Sequence, residues 1–310
     1  MNPDPSLLFP KAWRSSKLWL KAKWLSILAQ WVRAFLSYDD KALLSALRGL
    51  GVASGDAVML HSAFNRTHGF RGSIEQLTKV FTDAVGAEGH LLMVSLPYRS
   101  SSFAYVSKIK SFDVRKTPSM MGMVSEIFRR RPEVLRSLHP THPVLVRGRR
   151  AREFIDGHSD CRHPCGPGSP FDKLAAEDGR VVFFNVAFDT YTFFHYLEHM
   201  VSPRLPFALY TEAAFDVPVV DQAGQPRIVT THVFSPEAIR RRRFDLFEAA
   251  LRRHGLIREV RLGASRIQSV RVRDTIACVG EMASRGEFFY DIADLVAPNR
   301  GGAGEGGGIL

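Results

Sequence analysis

The chain of 310 residues carries 42 Lys and Arg against 31 Asp and Glu, a formal net charge of +11, with 45% hydrophobic and 24% charged residues. That balance belongs to a globular chain able to bury a substantial core, and it excludes disorder over most of the length. Three cysteines are too few for a disulfide scaffold, and no apolar run approaches the ~18 residues of a membrane-spanning helix. The positive surplus implies an anionic partner: nucleic acid, a membrane surface or a phosphorylated ligand.

The surplus is uneven. Residues 1–37 hold Lys11, Arg14, Lys17, Lys21, Lys23 and Arg33 against Asp4 alone, together with all four tryptophans, Trp13, Trp19, Trp24 and Trp31. Leu20, Trp24, Ile27, Leu28, Trp31 and Phe35 recur at spacings of three and four and form one helical face, while Arg14, Lys17 and Lys21 share another. Such a helix either docks on the protein's own core or on a second subunit, or makes peripheral contact with an anionic membrane through residues 11–36. Without a secretory cleavage signal the chain is expected in the cytoplasm. The other basic clusters, Arg129–Arg131, Arg147 with Arg149 and Arg150, and Arg240–Arg243, lack any zinc-finger, helix-turn-helix or RNA-binding pattern, so no nucleic-acid partner is expected. They read as solvated faces or as contacts for a phosphorylated ligand.

From residue 38 the pattern alternates. A helix is expected over Ala42–Leu50, stopped by Gly51, then a buried strand over Asp56–Leu60. Ser73 caps a helix with the stripe Ile74, Leu77, Val80 and Phe81, and a second buried strand covers His90–Leu96. A helix around Gly122–Arg131 and strands over Pro143–Val146 and Arg180–Val186 follow, then a helix over Tyr191–Met200. Phe207–Phe234 alternates in period two about Asp221–Gly224 and reads as an antiparallel hairpin. A helix over Phe244–His254, strands over Ile257–Leu262 and Ser269–Val272, and a helix near Asp274–Arg285 complete the body. Strands alternating with helices predict a layered α/β/α sheet domain with a hairpin insertion. The division expected is an extension over 1–37, one domain over 38–292, and a glycine-rich, disordered tail over 293–310.

Polar residues concentrate where strands end, at His61–Phe64, Arg136–His142, Cys165–Phe171 and Thr192–His199, the place where open α/β sheets bind ligands. His195 and Glu198 lie three apart on a helix, so the carboxylate can hold the imidazole and raise its basicity. His195-Tyr-Leu-Glu198-His199 also fits H-x-x-E-H, which keeps a zinc-dependent hydrolase as the alternative. His158, Cys161, His163 and Cys165 do not have structural-zinc spacing, and no metal is expected. No G-x-S-x-G, P-loop or G-x-G-x-x-G occurs. A non-catalytic membrane-bound binding protein is the third class.

Several ordered segments resemble the aminoglycoside 3-N-acetyltransferase family: Gly51–Asp56 with Val58-Met-Leu-His-Ser62, Gly72-Ser73, Gly86-Ala-Glu-Gly89, Thr117-Pro118 with Gly122, Arg136-Ser-Leu-His-Pro-Thr-His142, Gly166–Pro170 and Thr192–Glu198. The resemblance covers roughly residues 41–290. Pro143 stands where the family usually has Ser, and the tryptophan-rich extension lies outside the family core. The resemblance implies a single α/β domain and acetyl transfer from acetyl-CoA to an amine of an amino sugar or aminocyclitol. It also implies a site.

An alkylammonium must lose its proton before it attacks a thioester. By the resemblance His195 with Glu198 is the expected base, with His139 and His142 as candidates for the same role. Backbone N–H groups in the loops after Leu60 and Arg136, helped by Ser62 or Ser137, would stabilise the oxyanion, with Ala63 and Ser137 also among the expected CoA contacts. Met93, Val94, Ser95 and Phe64 would line the pantetheine channel, and Arg136 or one of the arginine clusters would meet the CoA phosphates. Asp113, Asp189 and Glu198 would read the substrate amine, with Thr192 beside them. The charge of +11 disfavours polycationic drugs and points to an acceptor from surface-polysaccharide or secondary metabolism.

Overall fold

A computed structural model describes residues 11–296. The strands are β1 (Ala57–Ser62), β2 (His90–Val94), β3 (Phe112–Asp113), β4 (Leu135–Arg136), β5 (Val144–Gly148), β6 (Arg180–Phe184), β7 (Phe215–Val220), β8 (Pro226–Thr231), β9 (Arg258–Leu262) and β10 (Ser265–Arg271). The helices are α1 (Lys11–Phe35), α2 (Asp40–Gly49), α3 (Ile74–Val85), α4 (Ser102–Val106), α5 (Met123–Arg129), α6 (Ala151–Ile155), α7 (Pro170–Ala176), α8 (Phe194–Val201), α9 (Pro236–Arg241), α10 (Phe244–Arg253), α11 (Val272–Ser284) and α12 (Ala293–Val296).

Seven strands form one sheet in the order β4-β5-β2-β1-β6-β10-β9. The central trio β2-β1-β6 is parallel, whereas β5, β4, β10 and β9 each run antiparallel to the neighbour on their inner side. The central strands are apolar on both faces because both are covered. Met59, Leu92, Val181 and Phe183 pack under α7, α8, α10 and α11, while Val58, Leu91, Val182 and Phe184 pack under α2, α3 and α5. The α/β/α layering expected from the strand pattern is present.

The hairpin is present too, with β7 and β8 antiparallel and joined at Asp221–Gln225. Two-residue β3 adds to β7 in parallel, so the insertion is a separate three-stranded sheet with its own core of Phe112, Val217, Val219 and Val229. The last strand is longer than its alternation suggested: β10 begins at Ser265, and Val272 opens α11. Residues 1–10 and the glycine-rich 297–310 lie outside the described residues, and 293–296 form α12.

Helix α1 forms where the apolar period predicts it, but its stripe is not docked on the chain's own core. Leu20, Trp24, Ile27, Trp31 and Phe35 are exposed and Leu28 is half-buried, while Val32, beside the stripe, is the one buried side chain among the described residues of the helix.

Ser73 accepts from the Gln76 N–H while the Gln76 side chain accepts from the Ser73 N–H, a reciprocal cap for α3. Ser73→Ala is expected to cost about 1 kcal/mol of stability, read as a lower urea midpoint with unchanged slope.

Candidate active site

Strand β1 has β2 on one side and β6 on the other, so the chain changes direction across the sheet between them, and a crevice opens beyond their carboxyl ends. A cleft of about 240 Å³ lies there, lined by His61, Ser62, Met93, Val94, Asp189 and Thr192 among others. It brings together residues expected for the cofactor and residues expected for the acceptor. Phe64 packs instead against the α2–α3 core. His61 is buried, stacks on Phe183 at 5.5 Å and leaves Nε2 without a partner. Burial holds its pKa down at about 3, so it is neutral.

Three residues past Thr192, His195 lies in the first turn of α8. Its Nδ1 donates to Glu198 Oε2 at 2.7 Å, one turn along the same face. The other carboxylate oxygen accepts from Arg242 Nε at 2.6 Å and from the Tyr290 hydroxyl. An isolated antiparallel bridge between Arg242 and Tyr290 aligns the two donors. The Glu198 side chain is 1% exposed, so three donors replace the water it has lost. Burial works to raise its pKa, but Arg242 and His195 outweigh that and hold the carboxyl below its ordinary range. Burial and the Arg242 charge lower the His195 pKa, opposed by Glu198. The resulting state is a carboxylate bonded to a neutral imidazole. With Nδ1 donating, the lone pair on Nε2 is the basic one. Phe234 supports the ring at 4.6 Å and also carries the Arg242 guanidinium at 4.6 Å, while His142 meets His195 edge-on at 5.5 Å.

The remaining expected residues divide. His139 and His142 are buried; the His139 Nδ1 faces Thr141 and the His142 N–H, and the His142 Nδ1 faces the Thr141 hydroxyl. His139 stacks on His158 at 4.6 Å, so it is packed structure, whereas His142 borders the His195 ring. His158 donates through Nε2 to the Pro164 carbonyl and accepts at Nδ1 from Ser137. Ser137 is therefore occupied: its hydroxyl also accepts from the Val144 N–H, and its own N–H bonds the Val144 carbonyl. The Ala63 N–H bonds the Phe184 carbonyl. Neither amide is available for an oxyanion.

Arg136 corrects the expected phosphate contact. It is buried, its guanidinium bonds the carbonyls of Ser95, Thr117 and Val114, and it lies over Phe112. Burial lowers its pKa to about 9. It ties the insertion to the end of β2 because a long cation can satisfy three carbonyls at once. Ser95 is buried beneath it, its N–H on the Pro143 carbonyl. Asp113 holds a turn through the N–H groups of Arg115 and Lys116, and Glu198 is enclosed, so neither reads an amine. Of the three expected carboxylates, Asp189 is the one that is exposed and lines the cleft.

The zinc alternative is not supported. Glu198 is committed to His195, Arg242 and Tyr290, His199 faces the Tyr210 hydroxyl, and no three metal-ligating side chains are grouped as ligands among the described residues.

Sequence reasoning did not single out Arg242, Tyr290 or Phe234. Arg242 sits in a run of four arginines whose neighbours pair with exposed acids, Arg241 with Glu237 and Asp294, Arg243 with Asp245. Nothing in the run marks the inward member.

Fold and site together define an α/β protein with a buried histidine–carboxylate pair beside a strand-end cleft. The family model described as aminoglycoside 3-N-acetyltransferase matches residues 59–284. The chain is 30% identical over 184 residues to aminoglycoside N(3)-acetyltransferase VIII of Streptomyces fradiae, covering 55% of this chain and 64% of the relative. It is 26% identical over 175 residues to aminoglycoside N(3)-acetyltransferase III of Pseudomonas aeruginosa, covering 52% and 64%. These alignments thus span less than two thirds of those relatives. Among solved structures, AAC-IIIb in binary complex with CoASH superposes with a TM-score of 0.66 at 22% identity, over 80% of this chain and 97% of that one. A mutant of aminoglycoside acetyltransferase AAC(3)-IVa in complex with gentamicin gives 0.67 at 24% identity, over 83% and 93%. Both show the fold. The chain belongs to the aminoglycoside 3-N-acetyltransferase family.

Two outcomes follow for the site. Arg242→Gln leaves Glu198 buried without its charge partner and is expected to cost ~3–5 kcal/mol, measured by urea unfolding at pH 7. His61, His139, His142 and His158 all titrate below the ordinary histidine value because burial excludes their charged forms. The unfolded chain therefore binds more protons. Stability is full above pH ~6.5 and falls as pH drops below it, by up to about 1.4 kcal/mol per unit for each histidine still neutral in the fold. A urea midpoint that is flat from pH 7 to pH 5 would contradict this.

Proposed function

We propose that the chain is a CoA-dependent N-acetyltransferase that moves an acetyl group to an amine of an amino sugar or aminocyclitol. The observation that carries the reading is the neutral His195 held by buried Glu198 next to the strand-end cleft. Family membership supports it, as does the CoASH complex of a neighbour with the same fold. His195 Nε2 takes the proton of the acceptor ammonium, and the freed nitrogen attacks the thioester carbonyl. The tetrahedral adduct collapses to the amide with loss of the thiolate, which recovers a proton from the imidazolium, while the second proton of the attacking nitrogen leaves to solvent. No covalent enzyme intermediate is needed. Met93, Val94 and Ser62 give the thioester arm an apolar wall with one hydroxyl. Asp189 and Thr192 address the acceptor, and His142 lies against the base.

The acceptor is drawn from surface-polysaccharide or secondary metabolism and not from polycationic drugs. Asp189 is the sole carboxylate along the cleft wall, too little to gather a polycation against a net charge of +11. The chain works in the cytoplasm with peripheral membrane contact through residues 11–36, a reading supported by the exposed stripe of α1.

Thiol release from acetyl-CoA, followed with UDP-amino sugars and with kanamycin-type drugs, tests this. Turnover is expected with the sugar nucleotides; strong drug acetylation without it would reject the acceptor assignment. His195→Ala is expected to lower kcat roughly 100- to 10,000-fold while CoA still raises the melting temperature.

A further inference from the structure

Helix α1 joins the body at the end of the sheet where the cleft opens. Past its last turn, Tyr38 bonds through its N–H to the Gly69 carbonyl at 3.0 Å and through its hydroxyl to Ser265 at 2.6 Å. Ser265 in turn donates to the His68 carbonyl and accepts from Asn185. Gly69 and Gly263, both at positive φ, lie so close to the Leu36 carbonyl that a Cβ on either would collide with it. The loop carrying His68 and Gly69 begins just after Ser62, and Asn185 precedes Val186; Ser62 and Val186 both line the cleft. Helix root and cleft are built on the same two loops.

Leu20, Trp24, Ile27, Trp31 and Phe35 are between 51% and 72% exposed along one face, with the Trp31 and Phe35 rings 5.7 Å apart. The segment 11–37 holds six basic residues and no acidic one. A two-fold contact with a second copy would lay two such cationic helices together, whereas an anionic lipid surface complements both the charge and the apolar face. No helix among the described residues is long and apolar enough to cross a membrane.

We propose that α1 lies in the interface of an anionic bilayer through these five side chains and thereby holds the cleft at the lipid surface, so that the acceptor amine belongs to an amphiphile resident there. The second half rests on the acetyl-transfer reading; the docking itself does not.

The four tryptophans all lie between residues 13 and 31, so tryptophan fluorescence, excited selectively over the tyrosines, reports on α1 alone. The protein is titrated with vesicles of phosphatidylcholine and with vesicles of equal parts phosphatidylcholine and phosphatidylglycerol. A blue shift and co-sedimentation are expected with the anionic vesicles only, weakening as salt is added. The variant Trp24→Ser, Ile27→Ser, Trp31→Ser is expected to lose about tenfold or more in vesicle affinity with unchanged acetyl transfer to a water-soluble amine. Absence of binding, binding undiminished in the variant, or a stable dimer in sedimentation velocity that the same substitutions dissolve would each overturn docking. Vesicle binding without acetyl transfer to any amine would overturn the catalytic reading and leave docking standing. With both intact, preference for a water-soluble amine over the same amine on a vesicle-borne lipid would overturn the assignment of the acceptor.

Discussion

One buried carboxylate organises this protein. Glu198 has lost nearly all contact with water, and a charge in that position is tolerable only if donors surround it. Three do so, from three parts of the chain: His195 one turn away, Arg242 after α9, and Tyr290 beyond α11. The need to keep that charge company fixes where the segments after the hairpin return to the sheet. It also fixes which nitrogen of His195 is basic. Phe234, following the hairpin, carries the His195 ring and the Arg242 guanidinium together, so the insertion helps to build the site.

The same logic governs Arg136, with the opposite sign. No carboxylate faces it closely; three backbone carbonyls and the Phe112 ring do. It joins the end of β2 to the strand and turn that start the insertion. A cation used as a peg and an anion used as a hub thus hold the cleft from two sides, and neither is free for a ligand.

Much of this was legible in the sequence, because it depends on local periods. The apolar runs at Val58–Leu60, His90–Val94 and Arg180–Phe184 mark buried central strands, and the three-residue spacing of His195 and Glu198 puts both on one helical face. Spacing says nothing about partners far along the chain. Tyr290 is 92 residues from Glu198, and Arg242 looks like its neighbours until the fold turns it inward. Arg136, Ser137 and Asp113 mislead for a related reason. Their side chains suit phosphate, oxyanion or amine recognition, but backbone groups of the folded loops claim them first. Asp189, by contrast, stays exposed on the cleft wall.

The outer rims of the large sheet have a consequence of their own. At one rim β4 is only two residues long; at the other β9 reads Arg-Glu-Val-Arg-Leu, with Arg258, Glu259 and Arg261 exposed. A stub gives an incoming strand too few amides to grip, and a charged, arginine-bearing strand would have to shed its hydration to accept one. The sheet is thereby closed to growth by strand addition, and a chain with broad apolar strands at its centre keeps them to itself.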